Sequence, residues 1–308
     1  MSRFVAPAPG PHGGDGARLA SQLGVPAEQV LDLSVSLNPC APDVVDLVRR
    51  HAPMIGRYPD VAPATMALAA AMGVDDSRLV LTNGGAEAIA LVAAEFPVGA
   101  VDRCDFSLYT RHLARVDAGG RRWRSNPHNP TGRLAERQEH ADVWDEAFYP
   151  LATGEWSRRD PDAIVLGSLT KVFGCPGLRA GYVLAPDPQL AGRVRARQPQ
   201  WAVNALTCAV IPELLASADL AAWAEAVARL RAGLESVLRA HGLEPEPSDA
   251  NFVLVPGCAG VRDHLAASGV LVRDTASFGT PDGARIAVPD AGGLERLAAA
   301  LEGCPGGS

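Results

Sequence analysis

Ser168-Leu169-Thr170-Lys171-Val172-Phe173-Gly174-Cys175-Pro176-Gly177-Leu178-Arg179-Ala180-Gly181 puts hydroxyl, ammonium and guanidinium groups into one glycine-bearing stretch, with the arginine eight positions after the lysine. That composition suits a bound phosphate. The apolar runs on either side decide what kind of chain carries it. Ala163–Leu166 and Ala180–Leu184 read as short apolar strands around the lysine loop, the pattern of a mainly parallel sheet with helical crossovers. Lys171 lies between Ile164–Leu166 and Val172–Phe173, in a chain where lysine is rare. A partly buried lysine is easily lowered in pKa and becomes nucleophilic, whereas a solvated loop lysine would do no chemistry.

Working outward, Arg78–Leu81 is strand-like and Gly85–Glu95 is helical in its apolar spacing. Between them Thr82-Asn83-Gly84-Gly85-Ala86-Glu87 forms a strand–glycine turn–helix junction, where backbone N–H groups can approach an anion at the helix N-terminus. Alone, such a glycine pair is ordinary turn chemistry. Asp145-Glu146-Ala147-Phe148 follows the strand-like Ala141–Trp144, which would set Asp145 at a strand's C-terminal end, where α/β proteins bind ligands. Asn126-Pro127-His128-Asn129-Pro130-Thr131-Gly132 is a rigid turn able to present an amide.

The remaining pattern places these segments in a two-lobed chain. A length of 308 residues suggests two domains at roughly 150 residues each. The Gly-, Pro- and Ala-rich start reads as a mobile arm, then Ala17–Leu23 as a short helix, Leu31–Val35 as a strand and Pro63–Met72 as a helix. Leu206–Ala240 reads as one long helical region, followed by strands Phe252–Val255 and Arg285–Val288 and a last helix, Leu294–Leu301. The expected division is an arm over 1–31 joined to the small domain, an α/β domain over 32–200 and an α+β domain over 201–308.

Apolar residues make up 47% and charged residues 20% of the chain, the balance of a globular protein. A net charge of −7 without a basic stripe argues against nucleic acid or an anionic membrane as partner. Cys40, Cys104, Cys175, Cys208, Cys258 and Cys304 show no CxxC pair and no metal-like spacing, so reduced structural thiols and no metal are expected. No apolar stretch is long enough to span a bilayer and the start has no signal-like apolar core; a cytoplasmic protein is expected.

Taken together, Asn-Pro-Thr-Gly, Asp-Glu-Ala-Phe and Ser-Leu-Thr-Lys stand in the order found in fold-type I pyridoxal-phosphate (PLP) enzymes, and the chain resembles the class I/II aminotransferase family. His12-Gly13-Gly14, Leu33–Pro39, Arg57-Tyr58-Pro59, Gly84–Ile89, Pro176–Gly181, Trp201–Ala205 and Ala250-Asn251-Phe252 look like the branch containing histidinol-phosphate aminotransferase and threonine-phosphate decarboxylase. The likeness runs from residue 12 to about residue 290.

The resemblance implies a three-layer large domain of the aspartate aminotransferase fold and a smaller α+β domain. It implies that Lys171 binds PLP covalently and later moves a proton, and that Asp145 pairs with the pyridinium nitrogen. Asn129 would donate to the ring's phenolic oxygen and Phe106 would stack on the ring. Gly85, Ala86, Ser168, Thr170 and Arg179 would hold the phosphate, joined by Tyr58 from a partner subunit, which implies a homodimer with shared sites. Arg285 would take the substrate α-carboxylate, with Arg273, Asn38 and His12 as its neighbours. Two departures stand out: the chain is short between Phe106 and Asn129 and between Asn129 and Asp145, so a strand and one or two helices are expected to be missing, and Phe148 stands where many members have a tyrosine. The small phosphorylated substrate is read as threonine phosphate, undergoing decarboxylation for a cobalamin side chain. The alternatives are an aminotransferase acting on histidinol phosphate and a PLP-fold protein without catalysis. A nucleotide-binding domain is disfavoured because no GxGxxG or P-loop spacing is present.

Overall fold

A computed structural model describes residues 4–10, 12–280 and 282–304; the outermost parts of the expected arm and C-terminal domain, 1–3 and 305–308, lie outside the described residues. The strands are β1 (Leu31–Leu33), β2 (Leu79–Asn83), β3 (Val98–Val101), β4 (Arg115–Val116), β5 (Arg121–Ser125), β6 (Val143–Asp145), β7 (Ile164–Gly167), β8 (Ala180–Leu184), β9 (Phe252–Val255), β10 (Val270–Asp274) and β11 (Ala284–Ala287).

Seven of them form one sheet in the order β2-β8-β7-β6-β5-β3-β4. All pairs are parallel except those of β8, which runs antiparallel to both β2 and β7. Every residue of β7 and β8 is buried, as expected of strands covered on both faces. The second sheet has the order β1-β10-β11-β9, with β1 parallel to β10 and the other pairs antiparallel. Helices Leu220–Ala240, Val261–Ala267 and Ala291–Leu301 supply apolar residues to its core, among them Leu234, Leu238, Leu265 and Leu297.

The expected domain boundaries do not coincide with breaks in packing. β1 belongs to the small sheet, so the chain enters the large domain only after residue 33. The expected single helical region 206–240 is two helices, Ala205–Ala216 and Leu220–Ala240, bent by 84°. Val210, Ile211 and Leu214 of the first pack with Leu68, Leu81 and Tyr182 in the large-domain core, so the small domain begins in effect at the bend. Asn204 and Asp219 cap the two helices through Thr207 N and Ala222 N, which sets each start. The arm is tied down: Ala6 N donates to Asp263, and Arg262 donates to the Pro7 carbonyl.

The short segments also resolve. The large sheet is continuous through β3, β4 and β5, and what the trimmed stretch lacks is helix. Only Leu108–His112 lies between β3 and β4, and the crossover from β5 to β6, residues 126–142, contains none. No single helix among the described residues is long and apolar enough to cross a membrane.

Candidate active site

The parallel strands β5, β6 and β7 end in register, with Ser125 opposite Asp145 and Asp145 opposite Leu166, and the chain places its polar residues just beyond those ends. The turn after β2 and the start of antiparallel β8 arrive at the same edge, because Asn83 pairs with Ala180. A cavity of about 340 Å³ opens there, at the strands' C-terminal ends. His12, Gly85, Ala86, Phe106, Asn129, Asp145, Ser168, Thr170, Lys171, Arg179, Arg273 and Arg285 all line it.

Lys171 sits in the helical turn Leu169–Val172 directly after β7 and is the only lysine in the sequence. Burial is the main cause that lowers its pKa, to about 8, with Arg285, Arg179 and Arg273 adding to the effect and Asp145 opposing it. A buried amine with no adjacent carboxylate bond is available as a nucleophile near neutral pH. Across the cavity Asp145 is raised to about 6, chiefly by burial, while a hydrogen bond from the Tyr109 hydroxyl at 2.8 Å and one from Ala147 N at 3.1 Å pull the other way.

One wall is an anion cradle. Gly84 has φ 79°, a conformation that strains any residue with a Cβ, and a Cβ there would also push the Arg179 guanidinium away from the cradle. The helix Gly85–Glu95 then points its free N–H groups toward the cavity through Gly85 and Ala86, and Ser168 faces them. Arg179 itself adopts φ 56°, a left-handed conformation that costs a non-glycine residue about 1 kcal/mol or more and brings its guanidinium to the cradle.

The opposite wall belongs to the small sheet. Arg273 and Arg285 are register partners on β10 and β11, and both are buried. Arg285 donates to Asn129 Oδ1 at 2.7 Å and to the Ser34 carbonyl at 3.2 Å; its Nε has no partner, and no carboxylate pairs with it among the described residues. Burial and the neighbouring Arg273 hold its pKa well below the ordinary arginine range. Arg273 donates to the His12 carbonyl at 3.1 Å and to Ser277 at 3.2 Å, which closes the N-terminal arm over the cavity. His12 meets Phe106 edge-on at 5.5 Å, its buried Nδ1 is without a partner, and burial followed by Arg273 and Arg111 lowers its pKa.

Two expected positions differ. Asn38 is buried outside the cavity, its amide donating to the Val172 carbonyl and its oxygen accepting from Cys40 N; it buttresses the lysine turn, whose Lys171 carbonyl also accepts from Asn38 N. Thr170 lines the cavity, yet its hydroxyl is engaged with the Ala180 backbone at 3.2 and 3.3 Å, which fixes the lysine turn to β8. Tyr58, expected to serve a partner subunit's cradle, is 78% exposed and lies tilted against the Trp201 ring at 4.6 Å, outside this chain's own cavity. Tyr109, Asp105 and Ser125 join the site without being singled out by any motif. Tyr109 follows Phe106 by three positions, the spacing that puts both on one side of a helical turn, and that is the one signal the sequence offers for it.

Residues 123–301 match the family described as aminotransferase class I and II. The chain belongs to that family. It is 30% identical to the threonine-phosphate decarboxylase of Salmonella typhimurium, covering 94% of this chain and 95% of that one. It is 27% identical to histidinol-phosphate aminotransferase 1 of Dechloromonas aromatica, covering 92% of each. The histidinol-phosphate aminotransferase of Sinorhizobium meliloti, solved in complex with pyridoxal-5'-phosphate, superposes with a TM-score of 0.78 at 19% identity, covering 94% of each chain. The fold is therefore that of the fold-type I PLP enzymes, and the chain is a PLP-dependent enzyme of this family. The donor set fits the cofactor: one buried amine, one buried acid and a glycine-lined cradle with an arginine and a helix N-terminus.

Proposed function

We propose that the chain acts on a small phosphorylated amino acid and is most simply an L-threonine O-3-phosphate decarboxylase. The observation that carries this reading is the buried arginine pair on β10 and β11. Arg285 has no carboxylate of its own among the described residues, and a planar two-pronged donor suits a substrate α-carboxylate. Arg273, with His12 beside it, then faces the substrate's other end and suits a phosphate. One molecule bearing both a carboxylate and a phosphate would meet both arginines at once.

Bound PLP supplies an electron sink for the charge left when a bond at the substrate's α-carbon breaks. The chain's own residues do the rest. Ser168, Arg179 and the N–H groups at Gly85 and Ala86 hold the cofactor phosphate. Lys171 Nζ attaches the cofactor and is the group placed to carry a proton at the α-carbon. With the cofactor bound, Asp145 would keep a proton on the ring nitrogen, Asn129 would donate to the ring oxygen, and Phe106 would lie against the ring. His12 and the arm it belongs to exclude water from the phosphate end.

A second reading is supported by the histidinol-phosphate aminotransferases among the relatives: the same two arginines would serve a phosphorylated amine and an acidic partner in turn. We further propose a homodimer in the cytoplasm, in which Tyr58, with the exposed Ile55, Met66 and Trp201 nearby in sequence or contact, meets a second copy and reaches its cradle.

The test is the visible spectrum of wild type and Lys171→Ala with added PLP, followed by threonine phosphate. A lysine-dependent band that responds to this substrate, with stoichiometric CO2 and no keto product, is the expected result. Keto product without CO2 would establish the aminotransferase, and no lysine-dependent band would leave a protein of this fold without its catalysis.

A further inference from the structure

Asp145 is held from behind by residues that do no chemistry on a substrate. Its Oδ2 accepts from the Tyr109 hydroxyl and its Oδ1 from the Ala147 amide. Tyr109 is fully buried, its ring edge-on to Phe106 at 5.8 Å and tilted against Trp123 at 5.5 Å, which holds its hydroxyl between Asp145 and Ser125. Behind it lies Asp105, buried and outside the cavity lining, which accepts from Ser125 Oγ at 2.5 Å, Ser125 N at 3.0 Å and Phe106 N at 2.7 Å. Ser125 Oγ in turn accepts from Asn129 N at 2.8 Å.

The geometry points to Tyr109 as a positioning residue that keeps Asp145 ionised and turned into the cavity, with Asp105 as the neighbouring buried carboxyl that opposes this hold. The consequence for the cofactor rests on the reading above, in which Asp145 faces the ring nitrogen. The tyrosine is a donor at every working pH. Burial and the two flanking carboxylates raise its pKa well above the ordinary phenol range, so its proton stays on. An ionised Asp145 gains from that donation more than a neutral one does. The titratable groups that face Asp145 are Tyr109 on its helical turn, Asp105 just before it, Lys171 beyond β7 and Tyr182 on β8, and Asp105 is itself pushed up by burial, with His128 and the Ser125 hydroxyl pulling the other way. Burial and Asp105 drive the acid toward neutrality, while Tyr109, Ala147 and Lys171 hold it ionised. The net result is a carboxyl raised to about 6, so the loss of one hydrogen bond moves its midpoint further toward neutral pH. A neutral Asp145 would no longer hold a positive ring nitrogen.

The experiment reads the carboxyl directly in the cofactor-free protein, by pH titration of the 13Cγ resonance of labelled aspartate, with Asp145 identified as the signal lost in Asp145→Asn. Tyr109→Phe, which removes one oxygen and leaves the packing, should raise the Asp145 midpoint by about one pH unit and weaken PLP binding about tenfold at pH 7.5. Asp105→Asn should lower the midpoint, and two shifts of opposite sign cannot arise from a general loosening. Should Tyr109→Phe fail to fold, the downward shift in Asp105→Asn still supports the balance. An unmoved midpoint in either folded variant, or shifts in the same direction, would overturn the assignment. Opposite shifts in a protein that never binds PLP would support the tyrosine's hold on Asp145 and overturn only the cofactor reading.

Discussion

Arg285 on β11 donates to Asn129 Oδ1 at 2.7 Å across the boundary between the two sheets, so the residue expected to read the substrate also fixes the amide expected to read the cofactor. With its oxygen committed to Arg285, the Asn129 amide has only its NH2 left to offer the cavity, the donor that a ring oxygen needs.

Arg285→Gln should therefore damage two things at once. A charge-assisted hydrogen bond is worth roughly 1.5–3 kcal/mol, so substrate binding should weaken by about 10- to 100-fold. The freed Asn129 should also bind PLP less tightly, by a smaller factor. Titrating the visible band with PLP and then with substrate separates the two effects; a variant with normal values for both would remove Arg285 from the site.

Lys171 is the only lysine in the sequence, and its pKa of about 8 leaves a sizeable neutral fraction at pH 7.5. Only the neutral amine attacks an aldehyde. Covalent capture of PLP by the cofactor-free protein should accelerate with pH and level off just above 8, whereas an ordinary lysine would continue to gain up to about 10.4. Borohydride trapping followed by mass spectrometry should find the label on Lys171, and label absent from that residue would refute its role.

Glu146 is buried behind Asp145, accepts from Arg158 N at 3.2 Å through both oxygens, and is raised to about 8, mainly by burial. In the unfolded chain it ionises near pH 4.3, so between that pH and about 8 the folded state binds more protons than the unfolded one. Stability from this group is thus present at low pH and falls as pH rises through that window. Glu146→Gln should flatten the slope, and the loss between pH 5 and pH 8, on the order of 3–4 kcal/mol in wild type, should shrink in urea titrations of the cofactor-free protein. An unchanged slope would place the pH dependence elsewhere.

The parts legible in the sequence are those with strong local signals. β8, β9 and the helix Gly85–Glu95 match their expected bounds because each is a compact apolar run with clear punctuation. β5 escapes a reading by pattern because Arg121-Arg122-Trp123-Arg124-Ser125 is mostly polar: it lies where the sheet has little helix beside it, with Arg121 exposed and Arg122 and Arg124 only partly covered. The break at 217–219 is hidden because alanine and leucine continue through it, and only Asp219 as a cap marks it. Within the site, the lysine, the acid and the cradle are carried by contiguous motifs. The Asp105–Ser125 and Tyr109–Asp145 contacts join residues 20 and 36 positions apart, and no periodicity reports such pairs.

The trimmed crossover from β5 to β6 makes the last prediction. A helix would satisfy its own carbonyls, and residues 126–142 have none to do so. Arg158 satisfies them instead. Its guanidinium donates to the carbonyls of Glu136 at 2.9 Å, Arg137 at 2.6 Å and Glu139 at 2.9 Å, is steadied by Asp160 at 3.2 Å, and lies 5.0 Å from the Trp144 ring centre. Arg158→Ala should leave those carbonyls to water and cost about 2–4 kcal/mol of stability, since several bonds to one charged group are lost together. Arg158→Lys should recover only part of this, because a point charge with a flexible stem cannot reach the same fan of acceptors. The loop also carries Asn129, so the alanine variant should lose PLP affinity although Arg158 lines no part of the cavity. Hydrogen exchange over residues 133–140 should rise selectively. If melting, exchange and PLP binding all match wild type, the crossover is held by its own turns and the arginine is a bystander.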